Sequence, residues 1–414
     1  MSRIAELIAL LKNKRLSDEA CLAVLELVRL GHDALPQLIE AHENADADFS
    51  RNLCFTISEV RDAASIPFLV GLLSHPSVEL RLSAYRAFSK IKHDRSLRHL
   101  VSCLLSQEQH TLIEEKILVQ ALGELGNKAA IPHLRVLLSA ILAVPPNLNP
   151  LTLETFVDQV KITHEYWEEV LEEKLTILID IVVALSKLGD DELNWMLIEL
   201  SEYRLPEESE YFDLSVIREH ALQSLQCVVA PHMVPLLKRN LVSEVLAEPL
   251  HVADALFYVG TKEAIIAFFD LLPHHISNPD LHEQLVVRIS KLTGIPYSHP
   301  TEMKRQWAEK SGAFEERVSY RWGQPLNPSH LINRVWDAYR TKLCYGEEHF
   351  YWELYLLWKE MHIISGEDFG YIGFLPMKYQ LCILDHIRTW WNTCGSRFES
   401  GKIYKYGIER NLAR

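Results

Sequence analysis

"TISEVRDAASIPFLVGLL" (56–73), "AFSKIKHDRSLRHLVSCLL" (87–105) and "ALGELGNKAAIPHLRVLL" (121–138) are three versions of one phrase. In each, a new helix begins ten residues after the opening, at Ile66, Leu97 and Ile131. Successive starts lie 31 and 34 residues apart (66 to 97, 97 to 131). A self-similar period of that length, built from two amphipathic helices, is the signature of an α-solenoid. The fold class expected is therefore all-α.

The clearest single repeat is "ASIPFLVGLLSHPSVELRLSAYRAFSKIKHD" (64–94). Its first helix puts Ile66, Phe68, Leu69, Leu72 and Leu73 on one face at helical spacing. Pro67 falls in the first turn, where a missing N–H costs nothing. "SHPS" breaks the chain, and the second helix places Leu80, Ala84, Ala87, Phe88 and Ile91 on one face. The same period predicts about eight helix pairs: 2–14 with 17–30, 33–44 with 47–61, 64–74 with 77–92, 96–106 with 111–126, 129–143 with 164–188, 191–203 with 213–229, 231–243 with 245–260, and 262–272 with 278–293. The fifth pair is interrupted by a Pro-rich insertion loop at 144–163.

"LRLSAYRAFSKI" followed by "SLRHLVSCLL", and "ALGELGN" followed by "AAIPHLRVLL", resemble HEAT repeats, most closely the short bacterial type named after phycobilisome lyases. Arg81 fits the family's Arg position, whereas the next repeat has Glu115 there and Leu97-Arg98 replaces the usual Ile-Pro. The resemblance implies that the second helices line a concave face. Arg51, Glu79, Arg86, Glu114 and Glu124 then become candidate partner contacts at exposed polar positions.

From Leu292 this period fails. "LTGIPYSHPTEMKRQW" resembles a terminal phrase that follows bacterial HEAT arrays, and the composition then changes. Residues 295–414 hold 22 of the 38 aromatics and 7 of the 9 tryptophans, too many for one more repeat pair. The expected organisation is a solenoid over 1–294 and a helical, aromatic-rich cap over 295–414, with helices at 301–311, 328–342, 347–362 and 375–393. Trp352, Trp358, Trp390, Trp391 and Arg340 are the candidate contacts there. Arg334 and Arg388 lie near the same aromatics in sequence.

Charge is uneven along the chain. Residues 295–414 carry 16 Lys+Arg and 14 Asp+Glu, and the other 294 residues carry 26 and 42. An acidic array repels phosphate backbones, which argues against a nucleic-acid partner and suits a basic protein. No stretch of 18 apolar residues suggests a membrane span. The seven cysteines lack pairing motifs, as expected of reduced thiols in a cytoplasm. "HEYWEEV" from His164 lacks the second His of a metalloprotease helix, and the His274-His275 pair falls at a helix end. No Walker, G-x-S-x-G or dinucleotide motif is present, so neither a catalytic residue nor a cofactor is expected.

The expectation is a non-catalytic scaffold or adaptor that grips a protein through a curved acidic surface and an aromatic cap. The repeat type raises phycobilin lyase or chromophore handling as an alternative, and, against the charge, a HEAT-like DNA glycosylase.

Overall fold

The computed structural model describes residues 2–12, 17–106, 110–142, 156, 160, 167–203, 214–242, 249–275, 277–340, 347–369 and 377–410. At 18, 167, 240–242, 338–340, 347–353 and 377–381 only the backbone is described. Most of the 144–163 insertion lies outside the described residues. The chain forms two compact units, Met1–Ile141 with Asp368–Asp385, and Leu142–Glu367 with His386–Arg414.

The first unit contains α1 (Arg3–Leu10), α2 (Asp18–Leu30), α3 (Leu35–His42), α4 (Ala47–Val60), α5 (Ile66–Leu73), α6 (Val78–Ile91), α7 (Asp94–Leu104), α8 (Leu112–Leu125) and α9 (Ile131–Leu142). The recurring phrase is the corner between consecutive repeats. Each second helix ends in a left-handed residue: Arg61 (φ 57°), Lys92 (φ 49°) and Gly126 (φ 74°). The next residue caps the following helical turn. Asp62 accepts from the Ala64 amide, His93 Nδ1 from Arg95 and Asn127 from Ala129. A left-handed residue stops the helix, and an acceptor side chain starts the next.

The second helices α4, α6 and α8 pack side by side. Ala84 and Ala87 are fully buried where α6 meets its neighbours, and Phe88 fills the space beside them. Polar links join one repeat to the next: Lys90 to Glu59, His32 to Asp62 (2.7 Å) and Arg81 to Glu114 (2.6 Å).

The second unit contains α10 (Trp167–Lys187), α11 (Trp195–Glu202), α12 (Ser215–Val228), α13 (Val234–Val242), α14 (Pro249–Val259), α15 (Lys262–Leu271) and α16 (Pro279–Thr293). They are followed by α17 (Pro300–Lys310), α18 (Pro328–Arg340), α19 (Glu347–Ser365) and α20 (Met377–Cys394), whose residues up to Asp385 belong to the first unit. Among the described residues, two short antiparallel hairpins interrupt the all-α pattern: β1 (Tyr320–Arg321) with β2 (Gln324–Pro325), and β3 (Tyr404–Lys405) with β4 (Ile408–Glu409).

The two hairpins are copies of one device. "WAEKSGAFEERVSYRWG" (307–323) and "WNTCGSRFESGKIYKYG" (391–407) align without a gap, matching at Trp, Phe-Glu, Tyr and Gly, with Arg321 opposite Lys405. Tyr320 packs at a tilt against Phe314 and accepts from the Glu315 amide (2.8 Å). Tyr404 meets Phe398 edge-to-face and accepts from the Glu399 amide (3.2 Å). Both turn residues have positive φ, at Trp322-Gly323 and at Tyr406-Gly407, as a two-residue type I′ turn requires.

Each tip closes the end of an α-helix. The Trp322 and Gly323 amides donate to the Lys291 and Leu292 carbonyls of α16 (2.5 and 2.9 Å). Those of Tyr406 and Gly407 donate to Ile363 and Ile364 of α19 (2.7 and 2.8 Å). Terminal helix carbonyls lack partners within the helix, and these four are satisfied by hairpin amides.

Candidate functional site

In the second unit, α12, α14 and α16 are the second helices of their pairs and lie side by side. Their shared face is the floor of a cavity of about 860 Å³. Residues spaced three or four apart reach it: Gln223 and Gln226 from α12, His251, Asp254 and Tyr258 from α14, and Gln284, Arg288 and Lys291 from α16. The other walls come from the β1–β2 tip (Trp322), from α18 (Leu331, Arg334, Val335) and from α19 (Tyr355 to Leu357, Lys359, Glu360). The C-terminal helices thus cover part of this face.

Both carboxylates of the lining are already engaged. Asp254 receives Arg288 at 3.0 Å from Nε and 2.5 Å from Nη2. Glu360 lies 2.5 Å from Nη2 of the buried Arg321, whose guanidinium covers the Phe257 ring at 4.4 Å. Two cations meet neutral partners instead. Lys359 Nζ donates to Gln226 Oε1 (2.5 Å) and lies 5.5 Å from the Tyr258 ring centre. Arg334 lies 4.3 Å above the Trp322 ring. Among the described residues neither faces a carboxylate. The Gln226 amide also pairs with His251 Nδ1 (2.9 Å), which fixes which way the amide points.

Burial raises the Tyr258 hydroxyl well above its ordinary pKa, with Glu360 and Asp254 adding to the effect. Tyr355 is raised by burial, then by Asp254. Both are neutral hydroxyls near pH 7. The site therefore offers cations, aromatic faces and neutral hydroxyls. That lining can hold an anionic molecule with an apolar body, and the volume suits a ligand of drug-like size.

The residues singled out from sequence lie elsewhere. Arg51, Glu79, Arg86 and Glu124 are exposed on α4, α6 and α8 of the first unit. They belong to one narrow stripe: Asp48, Arg51, Phe55 and Glu59 on α4, Glu79, Ser83, Arg86 and Lys90 on α6, and Ile113, Lys116, Gln120 and Glu124 on α8. Arg51 reaches Glu79 at 3.9 Å, linking neighbouring helices. This stripe is not acidic: Asp48, Glu59, Glu79 and Glu124 are matched in number by Arg51, Arg86, Lys90 and Lys116.

Glu114 corrects the exposed position read for it. It is buried, because it is the third residue of a capping box with Thr111 and also receives Arg81. The Arg81 guanidinium and Thr111 hold its carboxyl down to about 2.

Trp358 is half-buried, stacked on His362 (5.8 Å). Trp390 and Trp391 are half-buried around Phe398, and Trp391 Nε1 donates to Ser329 Oγ (2.5 Å). None of the three lines the cavity. Arg388 covers Trp336 (5.6 Å). The side chains of Arg340 and Trp352, and residue His164, lie outside the described residues. Sequence reading missed Trp322, Arg288, Lys291 and Lys359. The available signal was Gln284, Arg288 and Lys291 at helical spacing, directly before the "LTG" phrase.

Among the described residues, no group of three or more His, Cys, Asp or Glu is placed to hold a metal ion. No described helix is long and apolar enough to cross a membrane.

A profile of HEAT repeats matches residues 35–115, and one of the PBS lyase HEAT-like repeat matches 117–140. Among curated proteins none matches. The solved complex of CpcE and CpcF of phycocyanin lyase from Nostoc sp. PCC7120 is 17% identical over 70% of this chain and 95% of that one, at a TM-score of 0.37. An engineered protein is 16% identical over 93% and 88%, at 0.28. Neither likeness bears on the site. The phrase read at 56–138, the corners that it builds and the two profile matches show HEAT repeats over residues 35–115 and a PBS lyase HEAT-like repeat over 117–140.

Proposed function

We propose that this chain is a non-catalytic binding protein: a repeat scaffold for a protein partner whose second unit also holds a small anionic molecule. The observation that carries the reading is the cavity, where Arg334 and Lys359 face neutral groups while both lining carboxylates are engaged. Arg334 is exposed and Lys359 half-buried, so both can reach an anionic ligand that supplies the counter-charge they lack. The basic partner expected from net charge does not suit this cavity, whose own lining is cationic.

The test uses anilinonaphthalene sulfonate, an aromatic anion that fluoresces on leaving water. The full chain should bind it saturably. Arg334→Met and Lys359→Met should each weaken binding about tenfold or more, from loss of one charge-assisted contact. An unchanged melting temperature in both variants excludes unfolding as the cause. Equal binding by wild type and both variants would sink the reading.

The same lining favours a second reading, handling of a tetrapyrrole, whose acid side chains and conjugated ring need basic groups beside aromatic ones. Co-expression with a bilin source and an absorption spectrum of the purified chain separates the two. A stoichiometric visible band supports the second reading, and a colourless protein that binds the sulfonate supports the first.

A further inference from the structure

Behind the cavity wall is a cluster with more positive than negative charge. Its members come from the duplicated hairpins. Arg321 on β1 and Lys405 on β3 occupy equivalent positions, and both are buried. Arg321 lies on Phe257, and Lys405 Nζ lies 5.7 Å from the centre of the Tyr258 ring. Phe257, Tyr258, Cys227 and Glu360 are all cavity-lining residues. The two hairpins therefore deliver two cations to the back of one wall.

The titratable and charged groups around Lys405 are Cys227 from α12, Tyr258 from α14, Arg321 from β1, Glu360 from α19 and Arg410 after β4, with Lys187 of α10 over the ring of the adjacent Tyr406 (4.9 Å). Glu360 is held by Arg321, and Arg410 is held by Asp191 (2.5 Å). No carboxylate is within ion-pair distance of Lys405 among the described residues.

We propose that the cavity binds its anionic ligand together with a proton, and that the proton is taken up by Lys405. This rests on the reading of the cavity as an anion site. A buried ammonium without a counter-charge favours its neutral form. Burial first, and then the like charges of Arg321 and Arg410, push Lys405 down to about 7, although Cys227 and Glu360 act in the opposite direction. A negative charge on the cavity side of Tyr258 and Glu360 reverses that balance and restores the ammonium. Lys405 does not touch the ligand; it acts through the field across the wall.

The sign follows from linkage. The ligand raises the pKa of Lys405, so affinity is greatest below about pH 7 and falls as pH rises toward the ligand-bound value. A rise of one unit corresponds to a tenfold loss of affinity across that window.

Titration calorimetry of the full chain with anilinonaphthalene sulfonate tests this, because the sulfonate itself does not titrate near neutrality. At pH 8, in two buffers of different ionisation enthalpy, the heats should differ by the uptake of a substantial fraction of one proton. Lys405→Met should bind the dye with no uptake and a flat pH profile. Binding without uptake, or uptake that persists in Lys405→Met, overturns this inference alone. Absence of dye binding overturns the anion-site reading and this inference with it. If Lys405→Met does not fold, wild-type affinity that stays flat from pH 6 to pH 9.5 is the overturning result.

Discussion

Lys92 ends α6 in a left-handed conformation that the following repeat assigns to Gly126. A side chain there costs on the order of 1–2 kcal/mol in steric strain, partly offset by the extra freedom that glycine loses on folding. Lys92→Gly should therefore stabilise the first unit by about 0.5–1 kcal/mol, read as a higher denaturation midpoint in urea. Glu114 gives the opposite result. Its carboxyl, held near 2 by Arg81 and Thr111, is charged and buried in the folded chain. A lowered folded pKa stabilises above the unfolded value near 4.5 and loses that contribution as pH falls toward 2. Glu114→Gln should cost roughly 2–3 kcal/mol at pH 7. The difference from wild type should shrink to nothing between pH 4.5 and pH 2 in denaturation measured across that range. The contrast shows what a single sequence conveys. Thr111 and Glu114 form a visible capping-box pattern, but burial of Glu114 depends on Arg81, one repeat away.

At the scale of elements, the helices were legible because each buries one face at a regular spacing. The period predicts a helix over 77–92, and α6 runs Val78–Ile91. The second helix of the fifth pair, expected over 164–188, is Trp167–Lys187. The hairpins were not legible. Their strands are two residues long, too short for an alternating pattern, and their turns carry Trp-Gly and Tyr-Gly rather than Asn-Gly. Tertiary hydrogen bonds to helix ends hold Trp322 and Tyr406 in a conformation that their side chains disfavour. Gly294 lies against this device: a Cβ there would meet the Trp322 carbonyl oxygen at 2.6 Å, at a φ of 68°. Gly294→Ala should destabilise by about 2–4 kcal/mol. Because it displaces the Trp322 tip, it should also weaken dye binding, which a fluorescence titration below the unfolding transition would show.

For the whole molecule, net charge does not describe each local surface. The chain carries a formal charge of −14, yet the stripe on α4, α6 and α8 is balanced and the cavity lining is cationic. A partner held by the balanced stripe should bind with little salt dependence. Co-purification at low and at high ionic strength checks this, and loss of the partner above about 0.3 M salt would place binding on an acidic face instead. The exposed stripe could be read from the repeat period, but the cavity could not. It needs α18 and α19 to pack back over α12, α14 and α16, and no local pattern encodes that return.

The second unit also ties its β3–β4 hairpin to α10. Arg410, just past β4, donates to the Ser186 carbonyl at the end of α10 (2.5 Å) and pairs with Asp191 (2.5 Å). An open array can gain or lose a helix pair in the course of evolution, because its ends are free to move apart. Here the clasp counts the pairs: one more or one fewer would carry Arg410 away from Ser186. Lineages that lengthen or shorten this chain are thus expected to do so among the repeats before α10, leaving the clasped segment at constant length.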